Sequence, residues 1–340
     1  MKYCLQTIVF FSTLLFCSQY YVFASDKGRN VLEGISFVKN EGTFFYNIDH
    51  ASSPTLNFIM ESNYDSTFKK PVIAKNQEII NKNKIHPVRL SLIVGGMFTA
   101  WLGMHIYYSN TWWKNRVHYF KYAEDPYYSR NVDKMSHVYT ANLITEGSAA
   151  LYEWSGIKPV PAVVYGSITA IAYETYIEIN DGLSPIWGFD WGDMASNFVG
   201  ALYPIAQRFI PVLNNINVKW SFDPKWIQRK VQNQFDLLDD YTSMIFWVSI
   251  NPKGLLPEKM SEFYPGFLAI ALGVSLKGAS HLGSSTNAYR EWYLSFDVDI
   301  TRLPGKSEFM KKFKKILNFY HLPMPTVKFQ PTGVWYGIHF

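Results

Sequence analysis

Three apolar stretches of this chain are each interrupted by ionisable residues at helical spacing. Asp133, Lys134 and His137 open the first, Glu174, Glu178 and Asp181 lie in the second, and Asp190, Asp193 and Asn197 open the third. Residues three or four apart share one face of a helix, so each group forms a narrow polar stripe. Ionised groups on apolar helices are costly to bury unless they pair, bind something or neutralise. If the three stripes face one another, they build one interior site. Asp133, Lys134, His137, Glu178, Asp181, Asp190, Asp193 and Asn197 are its candidate ligand-binding residues. His137, Glu174, Glu178 and Asp193 are the candidates for catalysis.

Two chemistries suit this set. Carboxylates with an imidazole can hold a divalent cation, whose identity the sequence does not assign. They can also move protons, since desolvation raises a carboxyl pKa and histidine titrates near neutrality. Lys134 is suited to neutralising a carboxylate or binding a phosphate. A structural reading stands beside these. Asp133 can cap its helix, and Asp181-Gly182 can form a turn. Asp190 and Asp193 can complement a helix dipole, and Asn197 can bridge helices. Gly200 and Ala201 continue the third stripe with little bulk, leaving room for a neighbouring helix or a ligand. No Gly-x-Ser-x-Gly, P-loop or His-Glu-x-x-His motif accompanies the stripes. Gly278-Ala279-Ser280-His281 reads as a polar strand-to-loop segment.

The elements that must position these residues follow from the patterning. Residues 1–24 read as a secretory signal: Lys2 precedes a short apolar core from Ile8 to Phe16, and Ala24 offers a cleavage point. Acylation at Cys17 competes with simple cleavage, although Phe16 is a poor residue before a lipidated cysteine. An uncleaved anchor is the third option. Cys4 and Cys17 are the only cysteines, so a chain cut after Ala24 has no thiol chemistry. The polar N-terminal region, 25–87, has strand-like residues between Val31 and Tyr46 and a loop or linker over 62–85. Residues 88–214 are helical in pattern, with helices near 135–155, 160–180 and 191–213. Leu90 to Tyr108 is uncharged and long enough to span a bilayer. Tyr107, Tyr108, Trp112 and Trp113 beside Lys114 and Arg116 resemble an interfacial aromatic belt. A buried core helix is the alternative.

Residues 235–340 are β-rich. Tyr241–Ile250, Phe267–Leu276, Trp292–Thr301 and Val327–Phe340 read as strands. Phe296, Val298 and Ile300 alternate with Asp297, Asp299 and Thr301, giving one wet and one dry face. The terminal Phe340 and the strand lengths suit an outer-membrane barrel, but four strands are too few to close one. An amphipathic helix near 307–320 carries Phe309, Phe313, Ile316, Leu317 and Tyr320 on one side. Lys311, Lys312, Lys314 and Lys315 lie largely on the rest. It can pack on the sheet or lie on an anionic membrane. Aromatic and charged residues each make up 17% of the chain, a balance suited to membrane contact. The net charge of +5 is too small and dispersed for nucleic acid.

The order Asp133-Lys134-x-x-His137, Glu174 and Glu178 with Asp181-Gly182, and Asp193-x-x-x-Asn197-x-x-Gly200-Ala201 resembles the uncharacterised YfiM-like family of predicted periplasmic lipoproteins. Arg116-Val117-His118-Tyr119-Phe120 and Trp187-Gly188-Phe189-Asp190-Trp191-Gly192-Asp193 fit its larger members. The same order is more distantly similar to VanZ-like helical membrane proteins. The resemblance covers roughly residues 112–205. It implies an envelope protein with a polar site inside a helical bundle, and no particular reaction. The poor lipobox at Cys17 and the β-rich C-terminal region depart from the family.

The expected architecture is therefore α+β, a helical bundle with an interior polar site followed by a β-rich region. The expected location is exported, at the outer membrane or in the periplasm. Three functions fit. The first is a binding or accessory protein for lipid or another envelope amphiphile, with His137, Glu178, Asp181 and Asp193 at the polar end. The second is a metal- or acid/base-dependent hydrolase or transferase on lipid headgroups or cell-wall precursors, with Glu174 or Glu178 as base. The third is a structural partner of an outer-membrane protein assembly.

Overall fold

A computed structural model of the protein describes residues 38–40, 43–45, 84–124, 127–222, 240–279, 287–305, 307–330 and 335–339. The signal segment with Cys4 and Cys17, most of the 62–85 linker, Ser280-His281 and Phe340 lie outside them. The chain divides into two units, Met1–Ala74 and Lys75–Phe340. The first contains an antiparallel pair, β1 (Val38–Asn40) and β2 (Thr43–Phe45), inside the stretch expected to supply strands.

The second unit is α+β. Helix α1 runs over Pro87–Asn110, α2 over Val132–Trp154, α3 over Pro159–Asp181 and α4 over Trp191–Phe209. Proline stands at the start of α1 and of α3, where its missing N–H costs nothing and its fixed φ favours the helix. Helix α1 is not the buried core helix allowed by sequence. Ile93 packs with Tyr152, Ile157 and Ala162, but most of the helix is exposed. It is long and apolar enough to cross a membrane.

Helices α2, α3 and α4 pack on one another through a seam of small residues, with Ala141, Ala170 and Ala201 fully buried together. At Gly200 a side chain would meet the Val138 carbonyl oxygen at 2.2 Å, so the room left by Gly200-Ala201 is taken by the neighbouring helix. Before α2 the backbone of Ser129, Arg130 and Asn131 is left-handed, with φ of 46°, 52° and 62°. Arg130 Nε donates to the Ala288 carbonyl at 3.0 Å and ties this turn to the sheet region.

The sheet is a six-stranded antiparallel meander. Its strands are β3 (Ile216–Phe222), β4 (Met244–Ile250), β5 (Leu268–Lys277), β6 (Tyr289–Val298), β7 (Met324–Gln330) and β8 (Trp335–His339), in that order. Sequence patterning missed β3, whose Asn217 and Lys219 break the expected run. It also read β7 and β8 as one strand, although Pro331 and Gly333 stand between them in sequence. The sheet curls. Lys219 on β3 reaches Asp297 on β6, three strands away, at 2.6 Å. At the β3 edge, Trp220 N donates to the Phe319 carbonyl and His321 N donates to the Trp220 carbonyl, each at 2.9 Å.

The two faces of this sheet are reversed relative to a soluble protein. The expected alternation on β6 is present, but Asp297 is 0% exposed and Phe296 is 48% exposed. The enclosed face carries Lys219, Ser221, Ser249, Ser275, Ser295 and Thr326, with Trp247 and Tyr293 among them. One end of the opposite face packs Phe246, Val274 and Leu276 against Val132, Met135 and Tyr139 of α2. The other end continues uncovered. Register places Ile250 beside Ile270 and Ile270 beside Phe296, and Leu272 beside Leu294, and all five are exposed.

Helix α5 (Glu308–Leu317) repeats this reversal and corrects the expected placement of its lysines. Lys314 is buried, and its ammonium donates to the carbonyls of Thr301, Leu303 and Gly305. Lys315 pairs with buried Glu146, and Lys312 lies 3.6 Å from Glu153. Phe309, Phe313, Ile316 and Leu317 face outward, with Phe309 and Phe313 stacked. Three carbonyl acceptors for Lys314 and a buried carboxylate for the half-exposed Lys315 offset the cost of desolvating each ammonium. The methylene stem of a lysine packs like an apolar side chain.

Candidate functional site

The polar stripes of α2, α3 and α4 do face one another. His137 is the centre. Its Nδ1 lies 3.0 Å from Asn197 Oδ1, and its Nε2 lies 3.4 Å from Asp193 Oδ1 and 4.0 Å from Glu178 Oε1. Glu174 Oε2 stands 4.0 Å from the same ring. One turn away on α2, the Lys134 ammonium holds three carboxylates: Asp190 Oδ2 at 2.6 Å, Asp193 Oδ1 at 2.8 Å and Asp133 Oδ2 at 3.1 Å.

Local sequence explains the placement. Asp190 caps α4, its Oδ1 accepting from Gly192 N at 2.6 Å, which satisfies one of the orphan donors at that end. Its backbone N–H donates to Glu178 Oε2 at 3.2 Å, which stitches the start of α4 to α3. Gly192 leaves space for Lys134, because a Cβ there would meet the Lys134 stem at 2.8 Å. Asp133 does not cap α2. It sits in the first turn, buried, and reaches the cluster through Lys134. Asp181 has a partner of its own: Trp113 Nε1 donates to its Oδ1 at 2.6 Å. Trp113 is fully buried and was expected at a membrane belt, so sequence reading missed its part in the site.

Burial shapes the electrostatics. Desolvation pushes the carboxyl pKa of Glu178 up to about 9 and those of Glu174 and Asp181 up to about 7, with the charge of Asp193 adding to each. Desolvation, then Asp193, raises Asp133 to about 6 against the pull of Lys134. Burial alone would lower His137, but Asp193, Glu178 and Glu174 outweigh it and raise it to about 9. The carboxylates around Lys134 likewise outweigh its desolvation and hold it charged. Glu174 and Glu178 each stand 4.0 Å from the His137 ring, near enough to set its charge but beyond direct hydrogen-bond reach. His137, Glu178 and Asp193 also form a set whose ligand atoms all lie within 4.8 Å of one another.

A second polar group lies outside the expected set. Glu146 on α2 meets Arg208 of α4 at 3.4 Å and the Lys315 ammonium of α5. It borders a cleft of about 330 Å³ lined also by Asn142, Gln207 and Asn217. The rule that singled out Glu174 and Glu178, an acid on an apolar helix, applies equally to Glu146.

Residues 122–206 match the model of a family described as predicted periplasmic lipoprotein (DUF2279). The match takes in α2, α3, most of α4 and the segment before α2, and it includes every residue of the polar cluster. The exported, periplasmic or outer-membrane location expected from residues 1–24 agrees with that description. No curated protein and no solved structure matches the chain.

Proposed function

We propose that this envelope protein of uncharacterised activity works against a lipid surface, as a binding or accessory protein for lipid or another envelope amphiphile. The observation that carries the reading is the exposed apolar patch formed by Ile250, Ile270, Leu272, Leu294 and Phe296. The same strands keep Lys219 and Asp297 inside. Polar-in and apolar-out is the pattern of strands that meet hydrocarbon. Contiguous apolar surface of this kind marks a membrane or partner contact. Helix α1 and the outward side of α5 add apolar surface to the same unit. His137, Glu178, Asp181 and Asp193 provide the polar centre of such a protein. We also propose the finer kinship that the motif order suggests, to YfiM-like proteins and, more distantly, to VanZ-like membrane proteins, as a reading that goes with a polar centre between helices.

The test is flotation of the purified full chain with vesicles of phosphatidylethanolamine and phosphatidylglycerol, beside a Leu272→Glu, Phe296→Glu variant. Wild type should float and the variant should not, with unchanged melting temperatures. Wild type that ignores vesicles but self-associates through the patch would overturn the lipid reading and favour the structural-partner role.

A second reading, acid/base catalysis on a headgroup, draws on the carboxyls of Glu174 and Glu178, which hold protons near neutrality beside His137. Phospholipid turnover abolished by Glu178→Gln in a folded protein would support it, and no turnover by wild type would exclude it.

A further inference from the structure

We infer that His137, Glu178 and Asp193 form a binding site for one divalent transition-metal ion of the zinc or manganese type. The inference rests on the reading of the polar cluster as a binding centre and goes beyond it in naming the occupant.

The first argument is the direction of the imidazole. Nδ1 lies 3.0 Å from Asn197 Oδ1, and with the Asn197 amide in this orientation the contact places a proton on Nδ1. In the neutral ring, Nε2 is then left with its lone pair, and it points between Asp193 Oδ1 and Glu178 Oε1. This is how a metal-ligating histidine is held: the nitrogen away from the metal donates to an oxygen that fixes the tautomer and the ring.

The second argument is spacing. Ligand atoms about 2.1 Å from a tetrahedral ion stand about 3.4 Å apart. His137 Nε2 and Asp193 Oδ1 are 3.4 Å apart. Glu178 Oε1 is 4.0 Å from Nε2, and all three ligand atoms lie within 4.8 Å of one another, so the carboxylates need only draw inward to close on one ion. One imidazole nitrogen with carboxylate oxygens selects zinc, manganese or iron over calcium, which takes oxygen alone.

The third argument is independent of the acids' proximity. Glu174 is 4% exposed, its carboxylate faces the His137 ring, and its Oε1 has no hydrogen-bond partner among the described residues. A buried carboxylate oxygen without a donor is costly. Lys134 already serves Asp133, Asp190 and Asp193, so it cannot serve Glu174 as well. Glu174 Oε2 stands 4.0 Å from Nδ1, the side of the ring away from Nε2, so it would act on a cation at Nε2 through the imidazole, as a carboxylate behind a ligating histidine does.

The experiment uses the full chain purified in detergent, stripped with EDTA and dialysed. Zinc chloride and manganese chloride are titrated in by calorimetry, with magnesium and calcium as controls. Wild type should take up one equivalent of zinc or manganese with at least tenfold preference over magnesium and calcium, and its melting temperature should rise. His137→Ala and Glu178→Gln should each lose at least tenfold in affinity. A wild-type protein that takes up no zinc or manganese and shows no thermal shift would overturn the inference, whatever the variants do. Uptake that survives both substitutions would overturn it too, by placing the metal elsewhere. Flotation of wild type with vesicles separates the two readings: wild type that floats yet takes up no zinc or manganese sinks this inference alone.

Discussion

His137 and Asn197 stand on different helices with Nδ1 and Oδ1 3.0 Å apart, a contact that turns Nε2 toward Asp193 and Glu178 and leaves Nδ1 beside Glu174. The cluster is therefore a set of acids gathered about one oriented imidazole, with Asn197 as the positioning residue.

Asn197→Leu removes the acceptor while keeping the volume nearly constant. The Nδ1 proton then has no fixed partner, and the ring is free to turn. Loss of a group that orients a ligating histidine costs roughly 10–100-fold in metal affinity. Nitrogen NMR of His137 should show the Nδ1-protonated ring in zinc-loaded wild type and a mixed population in the variant. An unchanged tautomer would remove Asn197 from that role.

Gly200→Val tests the seam between α2 and α4. Its Cβ falls 2.2 Å from the Val138 carbonyl oxygen, a backbone atom that cannot step aside alone. Overpacking of this kind costs about 1–3 kcal/mol. Urea unfolding should show a lower midpoint with an unchanged slope. Because Val138 follows His137, metal uptake should weaken as well.

Lys219 and Asp297 are both fully buried and pair at 2.6 Å. Lys219→Met removes the ammonium nearest Asp297 and leaves it only the more distant His321, whose Nε2 is 4.0 Å from Oδ1, a loss of up to about 3–5 kcal/mol. The double variant Lys219→Met, Asp297→Leu should recover most of that stability, since a well-packed apolar pair often replaces a buried ion pair without loss. A double variant no better than the single one would show that Asp297 matters chiefly through its bond from Ser249.

Glu291 supplies a pH test away from the cluster. Burial pushes its carboxyl pKa up, but the Tyr293 hydroxyl and the Lys328 ammonium outweigh that and hold it below the usual 4.5. A depressed folded pKa stabilises the protein above the unfolded value, and the contribution fades as pH falls through the folded one. The melting temperature of wild type should drop on acidification below 4.5 more steeply than that of Glu291→Gln. Parallel profiles would refute the depressed pKa.

Much of the site was legible in sequence because helical spacing is a local property. The stripes of α2, α3 and α4 follow from residues three and four apart, and burial makes each acid conspicuous. What spacing could not supply was partnership. Nothing local pairs Asp181 with Trp113, and nothing local turns His137 toward Asp193 through Asn197. The sheet was legible in part for the same reason. Alternation on β6 was visible, yet alternation does not say which face is enclosed. The curl that brings Lys219 to Asp297 decides that, and it depends on strands far apart in the chain. Lys314 and Lys315 show the same limit, because their carbonyl and carboxylate partners lie on other elements.

The pairing of Trp220 with Phe319 and His321 sets an order of events for the growing structure. Strand β3 precedes the rest of the sheet, and its outer edge is met at Ile216 by Tyr203 and Gln207 of α4 but at Trp220 by Phe319 and His321, far along the chain. Such long-range contacts close late and slow folding, since loop-closure entropy must be met first. A chain exported N-terminus first would thus finish the helical centre while the sheet edge still waits. The polar site and the apolar sheet exterior would then mature at different times.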